Sequence, residues 1–214
     1  MNADVALALA SVPEPARPAA HALWSLDEAL GRVLATGREP MISRIRLAWW
    51  REALERLDRE PPPKEPVLEG LARDVLPLGI TGAELAGMES GWALLPGDQP
   101  ITREDLDAYA TARGGVLFNS FARLLGSQCD VASAGEAWVL VDLARHSAEV
   151  SDVEAALQAA RERPLPRRWP KLLRPVGMLA MLAARDLKRG PERWEEQGSP
   201  PRSARMMRHR LTGF

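Results

Sequence analysis

AWVLVDLARHSAEV, residues 137–150, follows a Ser133-x-x-Glu136 capping-box signature, so it reads as the body of a helix that starts at Ser133. Within it Asp142 and Arg145 stand three residues apart, the spacing at which two side chains meet on one helix face. By spacing the pair reads as an intrahelical ion pair or an ordinary surface salt bridge, worth about a few tenths of a kcal/mol.

Outward from this run the same period recurs. Leu23, Leu26, Leu30 and Val33 follow at three- and four-residue steps, as do Ile42, Ile45, Trp49 and Leu57 with Ala53 between. Leu85, Met88, Trp92 and Leu95 form another set, and Leu106, Tyr109, Leu117, Phe121 and Leu124 a further one. No segment alternates like a half-buried strand. Thr81-x-x-Glu84 and Ser151-x-x-Glu154 repeat the capping signature, and Thr102 precedes acids in a first turn. Gly37, Gly79, Gly126 and Gly190 stand where helices should stop, and Pro61-Pro62-Pro63 ends the Trp-rich helix. The Pro/Arg stretch at 164–170 reads as a long connection. The fold class is therefore all-α, and the expectation is a single helical bundle over residues 1–214.

Composition agrees with one domain holding a substantial core: 214 residues, 46% hydrophobic and 27% charged. The single Cys129 excludes an internal disulfide and fits a reducing compartment. The segment ADVALALASV at the N-terminus is too short to span a bilayer and has no basic region like a signal peptide's. Cytoplasm is the expected location, with a peripheral position at the inner membrane as its extension.

Residues 137–150 also resemble the second signature helix of the squalene/phytoene synthase family, which reads Ala-Leu-Gln-Leu-Thr-Asn-Ile-Leu-Arg-Asp with a further acid one turn later. Ala137, Leu140 and Arg145 match; Asp142 replaces the Asn, Val139 the Gln, His146 the Asp and Val150 the later acid. Residues 22–57 are similar to the first signature: Ala22-Leu23-Trp24 fits its opening and Trp50-Arg51-Glu52-Ala53-Leu54 its close. The aspartate-rich positions between them fall on Gly31-Arg32-Val33-Leu34-Ala35. Tyr109-Ala-Thr-Ala-Arg113-Gly114-Gly115 resembles the family's Tyr-containing helix with its small Ala-Gly pair. The resemblance implies an isoprenoid-synthase-type bundle, truncated relative to full-length synthases, with its two signature helices facing each other.

In the family those helices hold Mg²⁺ through carboxylates. Mg²⁺ demands hard oxygen ligands in near-octahedral geometry, and an imidazole, an isopropyl group and a Gly-Arg-Val-Leu-Ala run supply none. The expectation is a protein without a cofactor, needing Mg²⁺ only if it is a working transferase. Asp27-Glu28, one turn before the first metal position, reads either as a displaced metal site or as a solvated helix face; adjacent helical residues point ~100° apart, which favours the second. Tyr109 reads either as a cavity hydroxyl or as core packing. His21, His146 and His209 lack neighbours at ligand spacing, which argues against zinc.

Charge is unevenly spread. Residues 161–214 hold 14 Lys/Arg against 5 Asp/Glu, while residues 1–160 hold 14 basic against 24 acidic residues. Arg202, Arg205, Arg208 and Arg210, with Met206, Met207 and Leu211 among them, form a candidate basic surface for an anionic membrane or an acidic protein partner. The blander reading is a solvated tail of an Ala/Arg-rich bacterial composition. No aromatic interleaving or motif supports nucleic acid.

Two functions follow. One is a non-catalytic scaffold, assembly factor or isoprenoid/lipid-binding protein, similar to the family branch associated with assembly of respiratory complex I, which also lacks the aspartate-rich motifs. The other is a Mg²⁺-dependent head-to-head prenyl transferase acting on prenyl diphosphates. The resemblance implies that the Asp142/Arg145 pair lies within the family's central cavity, so the candidate cavity or ligand-binding residues are Tyr109, Asp142 and Arg145.

Overall fold

Proline lacks an N–H and so fits the first turn of a helix, where that donor has no partner. Five helices use it: α2 (Arg17–Thr36), α3 (Pro40–Arg56), α4 (Pro66–Asp74), α10 (Arg174–Arg189) and α11 (Pro200–Thr212). The computed structural model describes residues 2–37, 39–96 and 101–214, and among them no strand is formed. The remaining α-helices are α1 (Ala3–Ala10), α5 (Gly82–Trp92), α6 (Arg103–Tyr109), α7 (Val116–Leu124), α8 (Ala132–His146) and α9 (Val150–Arg161). A π-helical segment, Ala110–Gly115, joins α6 to α7. None of the described helices is long and apolar enough to cross a membrane.

The period read from the sequence places most inward faces correctly. Leu23, Leu26 and Leu30 of α2 are fully buried, as are Leu85 and Met88 of α5 and Leu117 of α7. Truncating any of these leucines to Ala should cost about 2–5 kcal/mol, because the bundle can only partly close the void. Two glycines set how closely the bundle packs at its centre: a Cβ on Gly114 would lie 2.5 Å from the backbone of Gly135, and one on Gly135 would lie 2.1 Å from the carbonyl of Gly114. The π segment and α8 thus touch backbone to backbone.

Three sequence expectations are corrected. Ile42, Ile45 and Trp49 do not face the core; they are exposed, while Ser43, Leu47, Trp50 and Leu54 are buried. Helix α3 carries two apolar stripes, and packing against α2 and α5 selects the second. Ser133 and Glu136 form no capping box, since α8 starts at Ala132 behind Val131, Ser133 donates to the Pro164 carbonyl and Glu136 pairs with Arg163. Nor do Ser151 and Glu154, because α9 starts at Val150 behind Glu149. The boxes at Thr81/Glu84 and Thr102/Asp105 do form.

The ends of the described chain meet through buried charge. Arg202 of α11 donates to Asp4 of α1 at 2.8 Å and to both carboxylate oxygens of Asp186 of α10 at 2.9 and 3.0 Å. Arg145 of α8 completes the network, donating to Asp186 at 2.8 Å with its guanidinium 4.6 Å from the Trp194 ring centre.

Candidate functional site

Helices α2 and α8 both line one cavity of about 640 Å³. From α2 come Glu28, Gly31, Arg32, Leu34 and Ala35; from α8 come Asp142, Leu143 and His146; Trp92, Leu95, Tyr109 and Arg113 complete the lining. The positions singled out as Gly31-Arg32-Val33-Leu34-Ala35 and Asp142/His146 are therefore brought together. Trp24 and Val139 lie in the core instead, where Trp24 packs edge-on against Phe121 and Trp138.

The residue at the centre is Arg113. The π segment's altered register, with Gly114 pressed on Gly135, brings this side chain inward from the bundle's most tightly packed point. Its guanidinium makes a bidentate contact with Asp27 at 2.7 and 2.8 Å and an ion pair with Asp142 at 2.9 Å. It also donates to the Tyr109 hydroxyl and lies 4.1 Å from the Trp92 ring centre, within cation–π range. Burial disfavours its charge, but Asp27, Tyr109 and Asp142 outweigh that and hold its pKa well above the usual arginine value. Burial likewise pushes the Tyr109 phenol above its ordinary range, so the hydroxyl stays neutral.

Tyr109 is both cavity lining and packing: its ring meets Trp92 edge-on at 5.9 Å while its hydroxyl accepts from Arg113. Asp142 lines the cavity, but its partner is Arg113 rather than Arg145. Arg145 turns away to Asp186, so the expected Asp142/Arg145 pair is corrected: Asp186 is buried and without Arg145 and Arg202 would be an uncompensated charge. Asp27, read as solvated, is buried against Arg113. Arg202 is no part of a basic surface; it is 3% exposed, and Met206 beneath the same helix is fully buried. Arg205, Arg208 and Arg210 are exposed.

Sequence reasoning missed Arg113 and Asp27. The available signal was the Tyr109/Arg113 spacing of four ahead of a Gly-Gly pair, which put an arginine on the tyrosine's face of the helix. Of the histidines, His21 and His146 are exposed and His209 is buried, and among the described residues no group of three or more His, Cys, Asp or Glu is placed to hold a metal ion.

Compared with known families, residues 2–174 match the model described as squalene/phytoene synthase. No curated protein and no solved structure matches the chain.

Proposed function

The chain belongs to the squalene/phytoene synthase family, and on that premise we propose that it is a non-catalytic member that binds an isoprenoid or similar lipid in its central cavity and serves as a scaffold or assembly factor. The observation that carries this reading is the Arg113 guanidinium between Asp27 and Asp142. The residues do not fit Mg²⁺. Asp27 and Asp142 are already committed to a fixed cation, Gly31, Leu34, Ala35 and Leu143 offer no oxygen side chain, and Glu28, the one other carboxylate of the described lining, is far short of the near-octahedral oxygen set that Mg²⁺ needs. A second cation about 4 Å from the guanidinium would be repelled by roughly 4 kcal/mol per unit charge at an effective dielectric of 20. Without a metal as Lewis acid, ionisation of a diphosphate leaving group loses its main stabilisation.

What the cavity retains is shape and apolar surface. Its volume of about 640 Å³ lies in the range of small-molecule sites, and Leu34, Ala35, Leu95, Leu143 and Trp92 give it walls suited to a branched hydrocarbon. The test is equilibrium dialysis with labelled geranylgeraniol, a prenyl chain without the diphosphate. Saturable binding near one per chain, abolished by the cavity-filling substitutions Leu34→Trp and Leu95→Trp, is expected. Binding that never saturates, or that survives both substitutions, would overturn the reading.

A further inference from the structure

Helix α3 presents a second apolar face to solvent. Met41 is 73% exposed, Ile42 42%, Ile45 64% and Trp49 46%, and at ~100° per residue they form one stripe about a quarter of the helix wide. Four large apolar residues held together in water need a partner. Arg44 and Arg46 flank the stripe on its two sides, both are exposed, and neither has an ion-pair partner among the described residues. Residues 40–51 contain Arg44, Arg46 and Arg51 and no acid; the exposed Glu39 and Glu52 stand at the two ends of the run.

We propose that this face of α3 docks the protein on an anionic lipid bilayer. A central apolar stripe with arginines on both shoulders is the arrangement of an interfacial helix, in which side chains such as Met, Ile and Trp enter the acyl boundary while guanidinium groups reach lipid phosphates. Trp49 is braced for this position by an edge-on contact with the buried Trp50, ring centres 5.3 Å apart, and its amphipathic ring suits the headgroup level. Charge complementarity distinguishes the bilayer from a second copy of the chain, because two such faces would oppose arginine to arginine. On one shoulder of the stripe Arg44 donates at 3.0 Å to the carbonyl of Pro96, the residue after the cavity-lining Leu95.

The test is co-sedimentation of the full chain with vesicles of phosphatidylglycerol and phosphatidylcholine, and with phosphatidylcholine alone. At low salt, partitioning onto the anionic vesicles should be at least tenfold stronger. Ile45→Asp combined with Trp49→Asp should reduce it tenfold or more with an unchanged circular-dichroism spectrum, since both positions are exposed. Arg205→Gln, Arg208→Gln and Arg210→Gln together should leave it within twofold. With brominated lipids, tryptophan quenching should be lost in Trp49→Phe. Absence of vesicle binding, binding unaffected by the α3 substitutions, or loss of binding in the α11 variant would overturn the proposal. So would a concentration-dependent dimer that the α3 substitutions dissociate, since the occupant would then be a second copy.

Discussion

Arg113 and Arg202 are each almost wholly buried and each is held by two aspartates, yet their surroundings differ. Arg202 belongs to a balanced set with Arg145, Asp4 and Asp186 that joins α1, α8, α10 and α11. Arg113 is the sole cation between Asp27 and Asp142 among their described ion pairs apart from the partly exposed His146, and Asp142 faces the cavity. The first network is a staple, in which charge replaces apolar packing at a junction of helices. The second fixes the charge at the wall of an accessible space. Buried ion pairs of similar geometry can thus serve different links of the same fold, and what separates them is the space beside them, about 20 Å³ at Arg202 against about 640 Å³ at Arg113.

That contrast predicts unequal costs. Arg202→Met leaves Asp4 without its cation beside a space of only about 20 Å³, room for about one water, so it should destabilise the protein by about 3–5 kcal/mol, near 10 °C in Tm for a chain of this size. Arg113→Met leaves Asp27 and Asp142 beside a cavity that water can enter, so the loss should be smaller, about 2 kcal/mol. Urea denaturation of both variants checks the order; an Arg113 variant as unstable as the Arg202 variant would erase the distinction.

Acidification should act on α11 through His209. His209 of α11 is buried edge-on against Trp169, and a Cβ on Gly177 would lie 2.6 Å from its ring. Burial, assisted by the Arg174 charge and opposed by the Phe214 backbone, holds its pKa below the usual histidine value. The folded state therefore prefers the neutral ring. Its contribution is complete above the unfolded value of about 6.5 and is lost as pH falls through the lower native one. The hydrogen-exchange protection of α11, taken relative to the intrinsic rate at each pH, should fall between pH 7 and pH 5, and His209→Leu should flatten that dependence.

The smallest expected effect lies on α5. Glu89 is buried with Arg51 no closer than 4.0 Å, and burial raises its pKa above the ordinary carboxylate value despite that arginine. Here the ionised form is the disfavoured one, so the cost is present at neutral pH and fades as pH falls toward the unfolded value. Glu89→Gln should raise Tm slightly at pH 7, and the gain should vanish near pH 4.

Helix existence and most inward faces were legible in the sequence because period and core agree at Leu23, Leu26 and Leu30. They fail at α3, where two apolar stripes compete and only the positions of α2 and α5 decide which is covered. The placing of α2 and α8 on one cavity followed from the resemblance. The partners of its charges did not: Arg145 finds Asp186, 41 residues away, and Arg202 finds Asp4, 198 residues away. Spacing along a helix states which side chains can meet locally, whereas a buried carboxylate takes whichever cation the fold delivers. Arg113 was hidden for the same reason, since its role exists only once Asp27 and Asp142 converge on it.

The central claim is that this guanidinium stands where metal-dependent ionisation would need a vacant pair of carboxylates. Its most direct test is diphosphate release from farnesyl or geranylgeranyl diphosphate by the purified protein with Mg²⁺. The account predicts no release above the protein-free background. Sustained release that disappears in Asp142→Ala would contradict it and return the chain to the working transferases.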